Sequence, residues 1–216
     1  MAELQIIGGP QSNFVWATRI FCTEKGVPYQ HVVALPHTPE VDAIHPFGKI
    51  PVMRHGDVTL CESRAIISYV DRSFEGPSLM PRDPLAAVQV EQWVSIVCTT
   101  IDPLWIRQYY AAYVLAARAG QRDPDRARIN ETIPRMEPQF AIMDRAVAKT
   151  GYLVGESFTL ADAYLTPIVF YMNSVPESAA LMAKSPHLKA YLDRQMARPS
   201  VQQTKPQNLV HEMMRR

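Results

Sequence analysis

The stretch HPFGKIPVMRHGDVTLCESRAIISYV, residues 45–70, contains the turn and helix-start signals that decide the fold. Its segments PVMRH and VTLCE are short and strand-like, and Gly56-Asp57 between them is typical of a two-residue β-hairpin turn. Ser63 is a typical N-cap residue, and the residues after it have helical periodicity. The stretch therefore predicts a hairpin that runs directly into a helix over residues 63–74.

The residues before this stretch predict a strand, a helix and a second strand. ELQIIGG, residues 3–9, reads as a strand, and SNFVWATRIFCTEKG, residues 12–26, reads as a helix with Gly26 as its left-handed C-cap residue. VPYQHVVAL, residues 27–35, predicts the second strand, and a proline-rich loop with room for one helical turn follows it. A βαβ unit followed by a ββα unit predicts a small mixed sheet flanked by helices.

The second half of the chain is predicted to be entirely helical. A proline-rich linker at residues 77–83 separates a domain over residues 1–76 from a domain over residues 84–216. Pro103 is expected to kink or break the first helix of that second domain, and Pro124 is expected to start the next one. No strand is predicted after residue 62, and the helical segments are 85–120, 124–150, 159–174, 176–185 and 186–200.

The composition excludes several classes of protein. A net charge of +1, with no basic stripe, is not typical of a nucleic-acid-binding protein. The first residues do not have the pattern of a signal peptide, and no apolar run is long enough for a membrane helix. Three cysteines without CxxC spacing argue against a disulfide framework or zinc site and favour a reducing cytoplasm.

Two residue pairs in the quoted stretch have a functional and a plain structural interpretation. A cis Ile50–Pro51 bond would turn backbone groups toward a ligand, although a trans proline at a strand edge is the commoner state. Ser63 can simply cap its own helix. Alternatively, the helix N-terminus attracts a carboxylate while Glu62 attracts an ammonium group, so that the pair holds a zwitterionic amino-acid end. The residues alone leave both alternatives open.

The same stretch resembles the glutathione-binding signature of the cytosolic glutathione S-transferases, in which NPFGxxP is followed by a Glu-Ser pair. The resemblance implies that the Ile50–Pro51 bond is cis and that the Ile50 backbone pairs with the cysteinyl part of glutathione. It also implies that Glu62 and Ser63 hold the γ-glutamyl end and that Lys49 contacts the peptide.

The resemblance extends to about residue 199 and implies both fold and function. The implied fold is an N-terminal thioredoxin-like α/β domain followed by an all-helical domain. The implied activity is that of a detoxifying transferase, which conjugates the thiolate of reduced glutathione to small apolar electrophiles. A cytoplasmic homodimer is also implied, with glutathione as co-substrate, no metal, and no nucleic-acid or membrane partner.

GESFTLADAYLTP, residues 155–167, resembles the N-capping box of the same family. Asp162 is expected to reach back to the Thr159 N–H, and Phe158 is expected to pack on Ala163 as a hydrophobic staple. The predicted role of this motif is structural.

The segment GGPQSNFVW, residues 8–16, contains the candidates for activating the glutathione thiol. Its GxPxS pattern resembles the serine-type transferases of the phi and theta groups, which implies Ser12 as the catalytic hydroxyl in a bacterial-type enzyme. Asn13 is an alternative hydrogen-bond donor to the sulfur. In a third interpretation, Ser12 only caps its helix. One departure is that Ala17 stands where an arginine is usual, with Arg19 two residues later.

The remaining ligand contacts are predicted less directly. His37 lies in the loop after the second strand, where relatives hold the glycyl carboxylate of glutathione, but a solvated loop histidine is an equal alternative. His45 and His55 are expected at the surface.

The electrophile is expected to contact the helical domain, and core packing is the alternative role for each aromatic residue of this set. Three of the candidates recur at i, i+4 and i+8 on one helix face. The candidates are Phe14, Trp105, Tyr109 and Tyr113.

Two other functions remain open from the sequence. The first is glutathione-dependent peroxide or disulfide reduction at the same site, which a dominant role for Asn13 would favour. The second is a non-catalytic protein that binds glutathione or apolar ligands.

Overall fold

The structure, a computed structural model, describes residues 2–121, 123–207 and 210. Its contacts divide the chain into two compact units, one formed by the residues up to 79 with residues 198–207, and one formed by residues 80–197. The predicted boundaries instead assign residues 198–207 to the helical domain, whose predicted end at residues 211–216 lies outside the described residues. The boundaries of residues 1–76, 77–83 and 84–216 stay a prediction.

The first unit is built on a four-stranded mixed sheet. Its strands are β1 (Leu4–Ile7), β2 (Gln30–Val32), β3 (Val52–His55) and β4 (Val58–Cys61). The spatial order is β2-β1-β3-β4, with β1 parallel to β2 and antiparallel to β3, and with β3 antiparallel to β4. This arrangement confirms the predicted βαβ and ββα units of a thioredoxin-like domain.

The three helices in this part of the first unit are α1 (Asn13–Lys25), α2 (Pro39–Asp42) and α3 (Ser63–Ser73). Ser12 is the N-cap residue of α1, where its Oγ accepts the Val15 N–H at 3.4 Å, and Gly26 ends the helix at φ 75°. Both caps are confirmed. Ser63, however, is the first residue of α3, and the cap position before it is occupied by Glu62.

The predicted hairpin is also confirmed. Gly56 and Asp57 form its two-residue turn, and the strand pairing places His55 opposite Val58. Gly56 has a φ of 59°, a left-handed conformation that glycine adopts without a side-chain penalty. The turn brings β4 back along β3 and thereby places Glu62 and Ser63 near the start of β3.

The described residues of the second unit form helices joined by loops and contain no strand, as predicted. Its α-helices are α4 (Pro84–Ile96), α5 (Asp102–Leu104), α6 (Ala111–Arg118), α7 (Arg126–Ala148), α8 (Leu160–Met172), α9 (Pro176–Ala183) and α10 (Pro186–Met196). The prediction that Pro124 starts a helix was wrong by two residues, because Asp125 takes the cap position and accepts the Arg128 N–H at 3.0 Å.

Pro103 changes the type of helix without ending it. Two π-helical segments, Val97–Ile101 and Trp105–Tyr110, flank the short helix α5 that contains this proline. The Asp102 N–H donates to the Val97 carbonyl, five residues earlier, which is the π-helical pattern. Proline has no N–H and its ring clashes with the carbonyl of residue i−4, so the wider turn lets the chain stay helical.

One more helix, α11 (Pro199–Thr204), belongs to the first unit. The sequence predicts a single helix over residues 186–200, but Arg198 is extended, because a residue before proline is biased away from helical backbone angles. The Trp16 indole N–H donates to Thr204 Oγ1 at 2.9 Å, and the Arg198 guanidinium pairs with Glu24 at 2.9 and 3.1 Å. These contacts fix α11 on the helix that Ser12 begins.

The predicted capping box of α8 is confirmed. Asp162 Oδ2 accepts the Thr159 N–H at 2.9 Å, and its Oδ1 accepts the Leu153 N–H at 3.1 Å. The Asp162 side chain is fully buried. It therefore joins the start of α8 to the segment before it through hydrogen bonds that water cannot replace.

Asp162→Asn should lower the free energy of unfolding by about 2 kcal/mol, because one carboxylate oxygen is replaced by a donor that faces another donor. Urea unfolding followed by circular dichroism measures the change. Asp125→Asn is the matched control, since asparagine caps an exposed helix start as well as aspartate does. Similar stability losses in the two variants would contradict this role of Asp162.

Candidate functional site

The site is organised around two helix starts and one loop within the first unit. The loop Gly8–Gln11 connects β1 to α1, and the Ser12 N–H donates to the Gly9 carbonyl at 3.0 Å. A Cβ built on Gly8 would lie 2.6 Å from Val15 Cγ2 and 3.1 Å from Ile50 Cβ. Only glycine fits there, and the close approach places Ile50 beside the start of α1.

Ser12 has the properties of a hydrogen-bond donor to an anion. Its side chain is half-buried at the N-terminus of α1, where unpaired N–H groups give a partial positive charge. Because its Oγ accepts the Val15 N–H, its own hydrogen can be donated to another group. Asn13 is only 3% exposed, so Ser12 is the more accessible of the two candidates.

The Ile50–Pro51 peptide bond is cis, which confirms what the resemblance implies. Pro51 is buried directly before β3, Ile50 is half-buried, and the Lys49 side chain is exposed. Ile50 therefore lies near the end of β1, where the loop that leads to Ser12 begins.

Glu62 has an unusual backbone conformation, with φ 69° and ψ 116°. A non-glycine residue with positive φ costs about 1–3 kcal/mol and persists only where its surroundings require it. The Glu62 carbonyl accepts the Ile66 N–H at 3.0 Å, so the strained residue begins the hydrogen-bonding pattern of α3. Its side chain is 69% exposed, whereas Ser63 is buried.

The backbone strain at Glu62 predicts that Glu62→Gly is more stable than Glu62→Ala by about 1 kcal/mol, since only glycine adopts positive φ freely. Urea unfolding of both variants measures the difference. In Ala65→Gly, at an exposed position inside α3, glycine should instead destabilise by about 1 kcal/mol. A glycine variant at position 62 that is less stable than the alanine variant would contradict the strain.

His37 and Lys49 lie on two connected loops. The His37 N–H donates to the Gly48 carbonyl at 2.9 Å, and the His37 ring packs against the face of Gly48, where a Cβ would lie 2.2 Å from Nδ1. His37 Nδ1 is 3.7 Å from Asp42 Oδ1, and the ring is mostly exposed. The predicted contact of His37 with the glycyl carboxylate stays a prediction.

The expectation that His45 lies at the surface was wrong. Its side chain is 3% exposed, its Nδ1 accepts the Phe47 N–H at 3.1 Å, and its Nε2 is 3.3 Å from Glu62 Oε1. The hydrogen bond to Phe47 is local, because the side-chain acceptor stands two residues before the backbone N–H that it binds. This turn pattern is best known for asparagine and aspartate. His45 therefore connects the loop before the cis proline to Glu62.

The three aromatic candidates of the helical unit are fully buried. Trp105 donates its indole N–H to Gln139 at 2.8 Å, and the Tyr109 and Tyr113 hydroxyls both donate to Glu177. Burial, opposed by a hydrogen bond from the Ser178 N–H, raises the pKa of Tyr109 to about 12. These side chains pack in the core of the second unit. Their contact with an electrophile stays a prediction, as does that of the half-buried Phe14.

No group of three or more His, Cys, Asp or Glu side chains within the described ranges could hold a metal ion. None of the helices in the described part of the chain combines the length and the apolar character that a membrane crossing requires.

Two family models match the chain, namely the glutathione S-transferase N-terminal domain over residues 7–78 and its C-terminal domain over residues 106–199. Glutathione S-transferase 3 of Zea mays is 30% identical over 211 residues, which cover 94% of each chain. Among solved structures, glutathione transferase F7 from Populus trichocarpa is 27% identical with a TM-score of 0.83, over 98% of this chain and 99% of that one.

A bacterial structure is similar as well. The theta class glutathione S-transferase from Xanthomonas axonopodis pv. citri, solved with glutathione bound, is 26% identical with a TM-score of 0.79, over 97% of this chain and 100% of that one. Because the similar proteins do not come from bacteria alone, the predicted bacterial type stays a prediction.

Proposed function

The chain belongs to the glutathione S-transferase family, and from this membership we propose that it conjugates the thiolate of reduced glutathione to small apolar electrophiles. The observation that carries the proposal is the position of Ser12. Its hydroxyl lies at the N-terminus of α1, and both the first turn of that helix and Ile50 of the cis-proline loop lie beside Gly8.

Glutathione is bound in an extended conformation by groups of opposite charge. Its γ-glutamyl carboxylate lies at the N-terminus of α3, near Ser63, and its ammonium group pairs with Glu62. The cysteinyl backbone pairs with Ile50, and the glycyl carboxylate contacts the exposed side chains of His37 and Lys49. This binding mode is supported by the positions of the two helix starts and by the family's signature.

The chemical step begins with ionisation of the thiol, whose ordinary pKa is about 8.5. A hydrogen bond from the Ser12 hydroxyl and the partial positive charge at the start of α1 both stabilise the thiolate and lower that pKa. The thiol proton leaves to solvent. The thiolate then attacks carbon, so that a C–S bond forms while the bond to the leaving group breaks and the leaving group takes the electron pair.

An assay with 1-chloro-2,4-dinitrobenzene tests this proposal, because the thioether product absorbs and chloride is the leaving group. Turnover that requires reduced glutathione, and that S-methylglutathione inhibits, is the expected result. Reduction of a peroxide or a mixed disulfide without any conjugation would favour the reductase alternative. Glutathione binding without either activity would favour a binding protein.

We also propose that the protein is a cytoplasmic homodimer. Family membership supports the dimer, and the three free cysteines, Cys22, Cys61 and Cys98, suit a reducing compartment. Light scattering should give about twice the chain mass of 24.4 kDa at micromolar concentration. A concentration-independent mass of one chain would contradict the dimer.

A further inference from the structure

His45 contacts both halves of the proposed glutathione site. Its Nδ1 accepts the Phe47 N–H at 3.1 Å, inside the loop that leads to the cis proline. Its Nε2 lies 3.3 Å from Glu62 Oε1, across from the start of α3. The ring is buried, while the rest of the Glu62 side chain extends into solvent.

The contact with Phe47 determines which ring nitrogen bears the hydrogen. A nitrogen that accepts an N–H cannot itself be protonated, so in the neutral ring the hydrogen is on Nε2. That N–H is on the side of the ring that faces the Glu62 carboxylate. The turn at residues 45–47 therefore presents the Nε2–H of the neutral ring to Glu62.

We propose that His45 is a positioning residue that holds the Glu62 carboxylate in place for the ammonium group of glutathione. An exposed glutamate side chain loses rotamer freedom when it binds a ligand, and a fixed partner removes part of that cost in advance. The inference rests on the proposed function of this site, because it assigns the ammonium group of glutathione to Glu62.

The difference between histidine and asparagine makes this contact specific to the chain. The family signature contains asparagine where this chain has His45. Asparagine Oδ1 can take the place of Nδ1 and accept the Phe47 N–H, but its amide is too short to reach the Nε2 position. The contact with Glu62 therefore depends on the imidazole ring.

Two substitutions separate the two contacts. His45→Asn keeps an acceptor for the Phe47 N–H and removes the group beside Glu62. His45→Gln places its amide near the Nε2 position and removes the acceptor for Phe47. We expect His45→Asn to unfold with the stability of wild type but to bind glutathione more weakly. We expect His45→Gln to be less stable than wild type but to bind glutathione more tightly than His45→Asn does.

Calorimetric titration with glutathione measures the affinity of wild type, His45→Asn, Glu62→Gln and the double variant. His45→Asn should weaken binding by about 5- to 10-fold, in the range of one ordinary polar contact. In the Glu62→Gln background, His45→Asn should change glutathione affinity by less than about twofold, because the effects of two residues that act through one group are not additive. A glutathione analogue without the α-amino group should bind wild type and His45→Asn equally.

The possible failures are distinguishable. If wild type binds glutathione and Glu62→Gln weakens binding, but His45→Asn does not, the inference is wrong while the proposed function stands. An equal effect of His45→Asn with and without Glu62→Gln would also overturn it, because His45 would then act independently of Glu62. Wild type that does not bind glutathione would overturn both. Binding without conjugation would contradict only the proposed activity.

Discussion

Glutathione should bind about 100-fold more weakly to Glu62→Gln than to wild type, which is about 2.7 kcal/mol of binding free energy. The substitution keeps the size and shape of the side chain but removes the charge that we propose pairs with the ligand's ammonium group. Loss of one partner from a hydrogen-bonded charge pair that the bound ligand buries costs about 2–5 kcal/mol. The free energy of unfolding should change by less than about 1 kcal/mol, because the carboxylate is mostly exposed.

Glu40→Gln provides the matched control for this prediction. Glu40 also lies in the first unit, and its carboxylate is 3.8 Å from Arg54 in an exposed pair of small expected value. Its loss should leave glutathione affinity unchanged within about twofold. If Glu62→Gln reduced stability and affinity by equal free energies, its effect would be a folding defect and the assigned role would be wrong.

Ser12→Ala should lower kcat/KM for conjugation by about 100-fold, the size of effect that removal of one donor to a developing anion produces. Glutathione affinity should change only a few-fold, because the γ-glutamyl and glycyl ends keep their partners. The variant also loses the N-cap of α1, at a cost of about 1 kcal/mol of stability. Steady-state kinetics with 1-chloro-2,4-dinitrobenzene and titration calorimetry with glutathione separate the effect on rate from the effect on affinity.

The stability cost of losing a cap can be controlled for. Asp83 caps α4 and accepts the Ala86 N–H at 2.8 Å, so Asp83→Ala removes a cap without removing a donor to sulfur. It should lose similar stability and keep its conjugation rate. Comparable rate losses in Asp83→Ala and Ser12→Ala would show that weakened helix capping, and not the hydroxyl, accounts for the effect.

The parts of the fold that could be predicted are those determined by neighbouring residues. Gly56 and Asp57 specify the hairpin, and Ser12 and Gly26 mark both ends of α1, because each acts on backbone groups within a few residues. The capping box of Thr159 and Asp162 is a local feature of the same kind. The thioredoxin-like order of strands follows once these elements are placed.

The features that could not be predicted depend on distant contacts or on local strain. The contact between His45 and Glu62 joins residues that are 17 positions apart in the sequence. The positive φ of Glu62 contradicts the ordinary preference of its residue type. The return of α11 to the first unit depends on Trp16 and Thr204, which are separated by most of the chain.

The aromatic stripe shows a different limit. Spacing at i, i+4 and i+8 predicts that Trp105, Tyr109 and Tyr113 lie on one face of a helix, but periodicity does not tell whether that face contacts the core or a substrate. In the structure these side chains lie in the interior, and Trp105 stacks on Phe140 with ring centroids 4.1 Å apart. The π-helical segment also changes the angle between successive residues that the pattern assumes.

The most direct test of the central claim is the ultraviolet absorbance of the glutathione thiolate at neutral pH. The difference spectrum between bound and free glutathione should contain a thiolate band for wild type and for Asp83→Ala. The same band should be absent from Ser12→Ala that is saturated with glutathione. A band of undiminished size in Ser12→Ala would contradict activation by the Ser12 hydroxyl, and bound glutathione without a band in wild type would contradict thiolate formation at this site.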